Sequence, residues 1–361
     1  MTSSLATRDT LIFGGAGFVG SNLAHHLLSK TNANVHIFDN LSRRKVEHNL
    51  AWLQTLAKGT DRLKISVADV RDADAVAKAV YAATEIYDFA AQVAVTTSLD
   101  DPRTDFEVNA LGTLNILEAA RKSGHRPFIL FTSTNKVYGH LGDRGDLAAS
   151  GNGVSETQPL DFYSPYGCSK GTADQYVHDY GRTFKIPTVV FRMSCIAGQR
   201  QFGNEDQGWV AHFIYSALQG NTLYIYGDGH QVRDVLNVSD LVRAFGAAYE
   251  NRERTAGQVY NIGGGRANTI SLLELIKRLE HDLHVRIKYR HRPARVGDQP
   301  IYVTDFGKFT EHTGWRPLRS VQDTVQDIRH WYQHNESLFA PAPFIVPAAK
   351  SQPQLIRGLA S

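Results

Sequence analysis

Cysteine is scarce in this 361-residue sequence, and so is any excess of charge of one sign. The two cysteines, Cys168 and Cys195, form no CxxC pair, which argues against a disulfide framework and fits a reducing compartment. The formal net charge of +3, from 39 basic and 36 acidic side chains, is too balanced to predict a nucleic-acid partner. We therefore expect a cytoplasmic protein that does not bind nucleic acid.

Long apolar runs and metal-ligand patterns are also missing from the sequence. No apolar run approaches the roughly 20 residues of a membrane span, and residues 1–9 lack the apolar core of a signal peptide. The 15 histidines show neither HExxH nor Cys/His ligand spacing, so each is interpreted as a surface or packing residue. We expect no membrane partner and no metal.

Glycine is concentrated in a turn near the start of the chain. Gly14, Gly17 and Gly20 form a GxxGxxG pattern between a predicted strand at 10–13 and a predicted helix at 18–28. Such a turn lets the backbone approach a pyrophosphate, which the helix N-terminus then stabilises. The pattern predicts a dinucleotide site.

The residues after the second predicted strand indicate which dinucleotide is bound. Asp39 ends this strand about 20 residues after the glycines, where a carboxylate accepts hydrogen bonds from the adenosine ribose and repels a 2′-phosphate. NAD is therefore favoured over NADP. Arg43 and Arg44 follow closely and suit a phosphate, so the sequence leaves NADP open as the alternative.

The hydrophobic pattern predicts an α/β fold of the Rossmann type, with a doubly wound parallel sheet and right-handed crossovers. Predicted strands lie at 10–13, 35–38, 63–67, 85–90, 128–132 and 188–192, and predicted helices at 18–28, 72–81 and 102–123. Ligands of such a sheet bind at the carboxyl ends of its strands.

The second half of the chain predicts a smaller lobe that is interleaved with the sheet. Its helical patterns lie at 209–218, 239–249, 271–283 and 320–332, with short strands between them. We divide the chain into an NAD-binding domain at 1–190, a mainly substrate-binding lobe at 191–339 and a Pro/Ala-rich tail at 340–361. The glycine-rich, polar stretch at 140–159 predicts a long loop, and the sequence leaves open whether this loop is a lid.

Tyr166 and Lys170 lie four residues apart, on one face of a predicted helix. A free tyrosine has a pKa near 10, so a phenolate at neutral pH requires about 4 kcal/mol of preferential stabilisation. A nearby ammonium and an oxidised nicotinamide ring supply it. With the glycine turn, this pair predicts an enzyme that moves a hydride, although YxxxK alone is more typical of an ordinary amphipathic helix.

The segment FTSTNKVYG at 131–139 adds a run of hydroxyls where a strand leaves the sheet. Here the chain resembles the extended short-chain dehydrogenase/reductase family, especially its nucleotide-sugar epimerases and dehydratases, over residues 11–331. The resemblance implies a catalytic triad of Thr134, Tyr166 and Lys170. In the family's 4,6-dehydratases an Asp-Glu pair follows the first of these, whereas Asn135 and Lys136 stand here, which argues against dehydration.

The resemblance also implies the ligand-binding residues. For NAD they are Gly14, Gly17, Phe18, Val19, Asp39, Asn40, Ser42, Arg43, Asp69, Val70, Ala90, Ala91, Gln92, Asn109, Thr132, Tyr166, Lys170 and Ser194. For a nucleoside-diphosphate sugar they are Thr96, Ser98, Asn135, Lys136, Cys195, Gln201, Tyr224, Tyr226, Arg233 and Arg295. The two arginines would bind the diphosphate, because guanidinium groups suit phosphate oxygens. Asp88 stands where many family members have His.

Within the family, four segments resemble the branch that epimerises CDP-linked hexoses such as CDP-paratose and CDP-tyvelose at C2. They lie at 92–98, 133–139, 164–171 and 192–209. The resemblance implies NAD-dependent oxidation to a 2-keto sugar, return of the hydride to the other face, and a homodimer or higher homo-oligomer. Tyr163, Ala197 and Gln199 depart from the branch at positions expected to border the sugar pocket, so the hexose stays open.

Two alternatives remain for the function. A UDP-sugar 4-epimerase would use the same triad, and a non-catalytic NAD-binding regulator would keep the fold without turnover. Tyr224 and Tyr226 are equally consistent with a pyrimidine contact and with plain sheet. The glycines at 263–265 are interpreted as a structural turn, because no Lys-Ser/Thr pair follows them.

Overall fold

The computed structural model describes residues 8–141, 151 and 153–339. The predicted tail at 340–361 and half of the predicted loop at 140–159, namely 142–150 and 152, lie outside these residues. Among the helices in the described ranges, none is long and apolar enough to cross a membrane.

A seven-stranded sheet, parallel throughout, forms the centre of the molecule. Its strands are β1 (Asp9–Phe13), β2 (Asn34–Asp39), β3 (Leu63–Val67), β4 (Glu85–Asp88), β5 (Phe128–Thr134), β6 (Thr188–Met193) and β10 (Gln258–Ile262). The spatial order is β3-β2-β1-β4-β5-β6-β10, so the winding direction reverses between β1 and β4. Ligands of open parallel sheets bind at such a switch point. The topology confirms the predicted Rossmann-type sheet.

Helices cover both faces of the sheet. In the first half they are α1 (Phe18–Lys30), α2 (Val46–Leu56), α3 (Ala73–Val80), α4 (Val95–Asp100), α5 (Pro102–Phe106), α6 (Gly112–Ser123) and α7 (Ser164–Phe184). In the second half they are α8 (Trp209–Leu218), α9 (Val238–Glu250), α10 (Arg252–Thr255), α11 (Leu272–Leu283), α12 (Gly307–Thr313) and α13 (Val321–His334). The apolar sides of α1, α2 and α9 pack on one face, and those of α3, α6 and α7 on the other.

The second half adds two small sheets beyond the carboxyl ends of the large one. Strand β9 (Val232–Asn237) pairs with β7 (Cys195–Ala197), β11 (Thr269–Ser271) and β13 (Ile301–Tyr302), while β8 (Leu223–Tyr226) pairs with β12 (Tyr289–Arg292). Strands β7, β8, β9 and β11 share an apolar core with α8, α11 and α13. Because β10 returns to the large sheet, the chain crosses repeatedly between the two regions. The division at residue 190 stays a prediction.

Three local differences from the predicted elements have physical reasons. Helix α2 was not predicted; it begins after Lys45, which has a φ of 70° and no capping side chain, so the usual start signal is missing. The helix predicted at 102–123 is broken by a π-helical turn over Glu107–Leu111, which carries the buried Asn109. Strand β4 ends at Asp88 rather than at residue 90, because the chain leaves the sheet there.

Candidate active site

A cleft of about 940 Å³ lies between the carboxyl ends of the parallel strands and the second half of the chain. Its size matches that of a substantial ligand pocket. Of the residues assigned to cofactor or substrate from the sequence, all but Asp69, Ser98 and Asn109 line it. The structure therefore brings together side chains as distant in sequence as Gly14 and Arg295.

The glycine turn forms the first wall of the cleft. Gly14 has a φ of +71°, and a Cβ there would lie 2.9 Å from the carbonyl oxygen of Phe89; a Cβ at Gly20 would collide with the carbonyl oxygen of Gly14. The Asp39 carboxylate accepts hydrogen bonds from the backbone N–H of Ala16 (3.0 Å) and of Leu41 (2.8 Å). Burial raises the pKa of Asp39, and these N–H groups oppose the rise. The turn is thus closely packed and carries an acidic group at its edge.

Asp69 holds neighbours of the cleft instead of lining it. Its carboxylate accepts two bonds from Arg71, at 2.9 Å each, and one from Asn40 at 2.9 Å. The Arg71 guanidinium keeps the pKa of Asp69 well below its usual range. Arg71 itself lines the cleft beside Val70, and sequence reasoning missed it. Its adjacency to the Asp69-Val70 pair was the available signal.

Asn109 and Ser98 also act from behind the cleft wall. The Asn109 side chain accepts from the Gln92 N–H (2.9 Å) and donates to the Gln92 carbonyl (3.0 Å), which fixes the backbone beside Ala91. Ser98 is fully buried, and its hydroxyl accepts from the backbone N–H of Tyr166 at 3.2 Å. Both residues position groups that do line the cleft.

Thr134, Tyr166 and Lys170 open on the cleft together. The Thr134 hydroxyl accepts from the backbone N–H of Lys136 at 3.2 Å and adjoins the Tyr166 phenol. The Lys170 ammonium is buried and lies 4.0 Å from the centroid of the Phe131 ring. Strand β5 and helix α7 therefore bring a hydroxyl, a phenol and an ammonium to one edge of the sheet.

Burial is the largest influence on the pKa values of Tyr166 and Lys170 in the protein alone. Burial raises the pKa of Tyr166 to about 12, and only the Thr134 hydroxyl and the Arg43 guanidinium oppose the rise. Burial lowers the pKa of Lys170 to about 8, against the pull of Asp88, Asp174 and Asp105. The expectation that Lys170 lowers the pKa of the phenol stays a prediction. The protein groups alone leave Tyr166 a weaker acid than free tyrosine.

The substrate side of the cleft carries both predicted arginines, each paired with a carboxylate. Arg233 lies 2.6 Å from the Asp298 carboxylate, and Arg295 lies 3.2 Å from the Asp206 carboxylate. The Arg295 guanidinium also stacks over the Tyr226 ring at 3.8 Å, and the Arg292 guanidinium over the Tyr224 ring at 3.7 Å. This wall therefore carries guanidinium groups stacked on phenol rings.

Asn135 and Lys136 are tied to the loop that follows β12. Asn135 donates to the Gln299 side chain at 3.2 Å, and Lys136 donates to the Gly297 carbonyl at 3.0 Å. Burial lowers the pKa of Lys136 to about 8. These contacts join the residues after Thr134 to the loop that carries Arg295.

We call residues 205–207 the cross-cleft segment, because each of its side chains contacts a residue assigned to a ligand. Glu205 accepts from the Tyr226 hydroxyl at 3.0 Å, Asp206 accepts from the Thr96 hydroxyl at 3.0 Å, and Gln207 accepts from Arg43. Sequence reasoning placed this stretch in a family-specific segment but assigned no role to these side chains.

Three further residues that the sequence assigned to ligands line the cleft and form hydrogen bonds with neighbouring protein groups. Ser194 donates to the carbonyl of Asp234 at 2.9 Å, and Gln201 donates to the carbonyl of Ile196 at 3.1 Å. Cys195 accepts from the Trp209 indole at 3.0 Å, and burial raises the pKa of its thiol to about 12. Cys195 is therefore a neutral packing group and not a nucleophile.

The expectation that Tyr163, Ala197 and Gln199 border the sugar pocket is wrong. None of the three lines the cleft. Ala197 is fully buried in β7, where it pairs with Asn237 of β9, and the carbonyl of Gln199 accepts from the Asn22 side chain. Tyr163 is half exposed. Within the described residues, no group of three His, Cys, Asp or Glu side chains is arranged to hold a metal ion.

Comparisons with known proteins agree with this geometry. A sequence model of the family described as GDP-mannose 4,6 dehydratase matches residues 11–328. CDP-paratose 2-epimerase of Salmonella typhi is 41% identical over 336 residues, which cover 89% of this chain and 98% of the relative. The UDP-glucuronic acid 4-epimerase of Bacillus cereus, solved with UDP-glucuronic acid and NAD, superposes with a TM-score of 0.80 at 26% identity, covering 90% of this chain and 99% of that one. The DesIV dTDP-glucose 4,6-dehydratase of Streptomyces venezuelae, solved with NAD, gives 0.80 at 28%, with 91% and 98% covered.

Proposed function

We propose that this protein inverts C2 of a CDP-linked hexose with NAD. The chain belongs to the extended short-chain dehydrogenase/reductase family and is an enzyme of its nucleotide-sugar epimerase type. CDP-paratose and CDP-tyvelose are the proposed substrate pair. The observation that carries the proposal is a single cleft with the Thr134, Tyr166 and Lys170 triad on one wall and Arg233 and Arg295 on the other. The 41% identity to CDP-paratose 2-epimerase supports the choice of sugar and nucleotide.

The residues of the first wall fit NAD. A Cβ at Gly14 or Gly20 would collide with neighbouring backbone, so the tight turn that lets the backbone approach a pyrophosphate requires glycine there, and the Asp39 carboxylate lines the cleft where it would accept hydrogen bonds from an adenosine ribose. The negative charge of Asp39 disfavours a 2′-phosphate, so NAD is proposed over NADP. When bound, the nicotinamide accepts a hydride from the sugar and later returns it.

The triad residues handle the proton that accompanies this hydride. Tyr166 takes the proton of the C2 hydroxyl, and the Thr134 hydroxyl shares the hydrogen bond to that oxygen. Lys170 contributes positive charge beside the phenol and holds the nicotinamide ribose. The keto sugar then presents its other face, and Tyr166 returns the proton. Because hydride and proton are both returned, the net reaction is an isomerisation.

Epimerisation requires the nucleotide to stay bound while the hexose turns. Arg233 and Arg295 suit the two phosphates, since a planar guanidinium forms paired bonds to phosphate oxygens. Tyr224 and Tyr226 offer aromatic faces to the base. The binding contacts are therefore made to the nucleotide, and the hexose is left free to reorient at the triad.

The neighbours of Thr134 favour epimerisation over dehydration. Elimination of water needs an acid and a base beside the sugar. Asn135 has no titratable group and is bonded to Gln299, while Lys136 is bonded to the Gly297 carbonyl. Although the matching family model carries the name of a dehydratase, this pair supplies no carboxyl groups.

Two alternatives differ in their expected products. A UDP-sugar 4-epimerase would share the triad, and the putative UDP-glucose 4-epimerase of Methanocaldococcus jannaschii is 29% identical over 326 residues, covering 90% of this chain and 98% of that protein. An NAD-binding regulator would give no product, but the triad residues are all in place on the cleft. We place both behind C2 epimerisation.

The test is to incubate the protein with CDP-, UDP- and GDP-hexoses and follow the sugar by NMR. We expect a C2 epimer from a CDP-hexose and none from Tyr166→Phe, which should still bind NAD. Deuterium at C2 should remain in the product, because hydride transfer keeps it out of solvent. A C4 epimer from a UDP-sugar, loss of deuterium to water, or no product from any sugar would each overturn the proposal.

We also propose that the protein is a cytoplasmic homodimer. Phe106, Leu99 and Tyr176 are large apolar or aromatic side chains on the neighbouring helices α4, α5 and α7, and each is at least 45% exposed. Contiguous exposed apolar surface of this kind marks interaction sites. Sedimentation equilibrium should give twice the chain mass of 40.1 kDa, and Phe106→Glu should shift the species toward the monomer. A wild-type monomer at micromolar concentration would overturn this assembly.

A further inference from the structure

Asp88 is a buried carboxylate without a full set of partners. It ends the central strand β4, and the residue is 2% exposed. One oxygen, Oδ2, accepts a hydrogen bond from the Thr113 hydroxyl at 2.9 Å. The other, Oδ1, is buried and makes no hydrogen bond of ordinary length to any of the described residues, although the backbone N–H of Ala90 also favours the charged carboxylate. Burying a carboxylate is costly unless an opposite charge or several donors stabilise it, so this position needs a compensating charge.

The compensating charge lies across the neighbouring strand. Asp88 and Phe131 are register partners on β4 and β5, so their side chains leave the same face of the sheet. The Lys170 ammonium stands 4.0 Å from the centroid of the Phe131 ring and is 3% exposed as a residue. Helix α6, which carries Thr113, and helix α7, which carries Lys170, cover this face together. Asp88 thus lies behind Lys170, away from the cleft.

Two other carboxylates, Asp174 and Asp105, also act on Lys170. Asp174, one turn further along α7, is held by Arg192 through two bonds of 2.8 Å. Asp105, on α5, accepts from the Asn109 side chain at 3.1 Å. Tyr166 precedes Lys170 by one turn of α7, and its phenol is beside Thr134. Asp88 and Asp105 each accept one hydrogen bond from a neutral side chain and keep one oxygen without a bonded partner among the described residues, and Asp88 has the stronger effect on Lys170.

We propose that Asp88 is a positioning residue that keeps Lys170 in its ammonium form in the cleft. This inference rests on the proposed function, because it takes the positive charge of Lys170 to be needed beside Tyr166. Asp88 touches neither the cofactor nor the sugar in this arrangement; it acts through Lys170. The role is specific to a carboxylate, since an amide or an imidazole at this position supplies no equivalent negative charge at neutral pH.

The titration behaviour of the pair is consistent with this arrangement. Burial lowers the pKa of Lys170 to about 8, and Asp88 is the main group that opposes the decrease. Burial raises the pKa of Asp88 to about 6, and Lys170 is the main group that opposes the increase. At pH 7 both groups are therefore charged. Removing the carboxylate lowers the pKa of Lys170 further, so its positive charge is lost at a lower pH.

The test is Asp88→Asn, which keeps the shape of the side chain and removes its charge. The pKa of Lys170 is read directly by NMR of the purified protein labelled at lysine Cε, with the signal assigned by Lys170→Arg. We expect the midpoint of the Lys170 titration to fall by about one pH unit or more, as for loss of a nearby opposite charge. The matched control is Asp105→Asn, which removes a buried carboxylate that has a weaker effect on Lys170.

Activity gives the second measurement. The alkaline limb of the kcat/KM profile should move down with the Lys170 titration, so that a fall of about one pH unit in Asp88→Asn costs about fivefold at pH 8 and little at pH 6.5. Asp105→Asn should move the limb less. An unchanged Lys170 titration in Asp88→Asn would overturn the inference, and so would a lowered titration with an unmoved alkaline limb.

The design separates this inference from the proposed function. Should the wild type epimerise no CDP-hexose, the proposed function fails, while the NMR titration still decides whether Asp88 holds Lys170 charged. Thermal unfolding monitors the fold of each variant. If Asp88→Asn does not fold, the Lys170 titration is measured in Asp88→Ser, whose side chain is smaller and also neutral. An unchanged Lys170 midpoint in Asp88→Ser would likewise overturn the inference.

Discussion

Binding of NAD⁺ to this protein should expel a proton from Tyr166. Burial raises the pKa of Tyr166 to about 12, so the phenol of the protein alone keeps its proton at pH 8. The proposed reaction needs a phenolate near neutral pH. A fall from about 12 to about 7 corresponds to about 7 kcal/mol at about 1.4 kcal/mol per pH unit. Bound NAD⁺ would add a positive nicotinamide ring to the cleft that Tyr166 and Lys170 line, and this ring and the Lys170 ammonium would together supply the energy.

Thermodynamic linkage turns this energy into a pH dependence of binding. The complex holds fewer protons than the free protein between the two pKa values, so NAD⁺ affinity must rise as pH rises across that window. The expected slope is about tenfold in affinity per pH unit. NADH has a neutral ring and should show no such slope.

The assay is titration calorimetry of nucleotide-stripped protein at pH 8, in two buffers with different ionisation enthalpies. We expect the wild type to release close to one proton on binding NAD⁺, and Tyr166→Phe to release much less. Because the pKa of Lys170 is about 8, the difference between the two proteins reports the phenol together with any change in Lys170 that depends on the phenol. Equal release by the two proteins, or equal release with NADH, would refute the reasoning.

Three other perturbations follow from the contacts. Asp206→Asn removes the carboxylate that is paired with Arg295, and such a part-exposed pair is worth up to about 1 kcal/mol. CDP should therefore bind about two- to fivefold more tightly when its affinity is measured by calorimetry. Weaker binding would contradict the pairing argument. Gly20→Ala places a Cβ against the Gly14 carbonyl oxygen, so it should lower the free energy of unfolding by about 1–3 kcal/mol and weaken NAD binding. Gly246→Ala is the control: a Cβ there meets nothing within 4 Å and should change neither quantity. Arg192→Met leaves Asp174 buried and unpaired and should cost about 3–5 kcal/mol in urea unfolding; a cost below 1 kcal/mol would show that Asp174 is compensated otherwise.

The cofactor wall was the most predictable part of the site, because it depends on local rules. A strand, a glycine turn and a helix occur within 20 residues, and Asp39 follows at the end of the next strand. The collisions that a Cβ would cause at Gly14 and Gly20 explain why glycine occurs at both positions. Sequence spacing was enough to predict this geometry.

Contacts between distant segments could not be predicted in the same way. The bond from Thr96 to Asp206 joins residues 110 positions apart, and that from Arg43 to Gln207 joins residues 164 apart. Asp88 could be read only as a departure from the family, because its relation to Lys170 depends on the register of β4 with β5. The error at Ala197 has the same origin: its side chain is buried by pairing of β7 with β9.

The two walls of the cleft bind anions by different means, and this difference bears on how an epimerase works. On the cofactor wall the pyrophosphate would meet backbone groups and a helix N-terminus, which carry no mobile counter-charge. On the substrate wall Arg233 and Arg295 already hold Asp298 and Asp206, so a diphosphate must replace one carboxylate or share its arginine. Substrate binding is then largely an exchange of one anion for another, with a small net gain in charge pairing. Such an exchange favours a cofactor that stays bound through the cycle and a nucleotide sugar that can leave after each turnover.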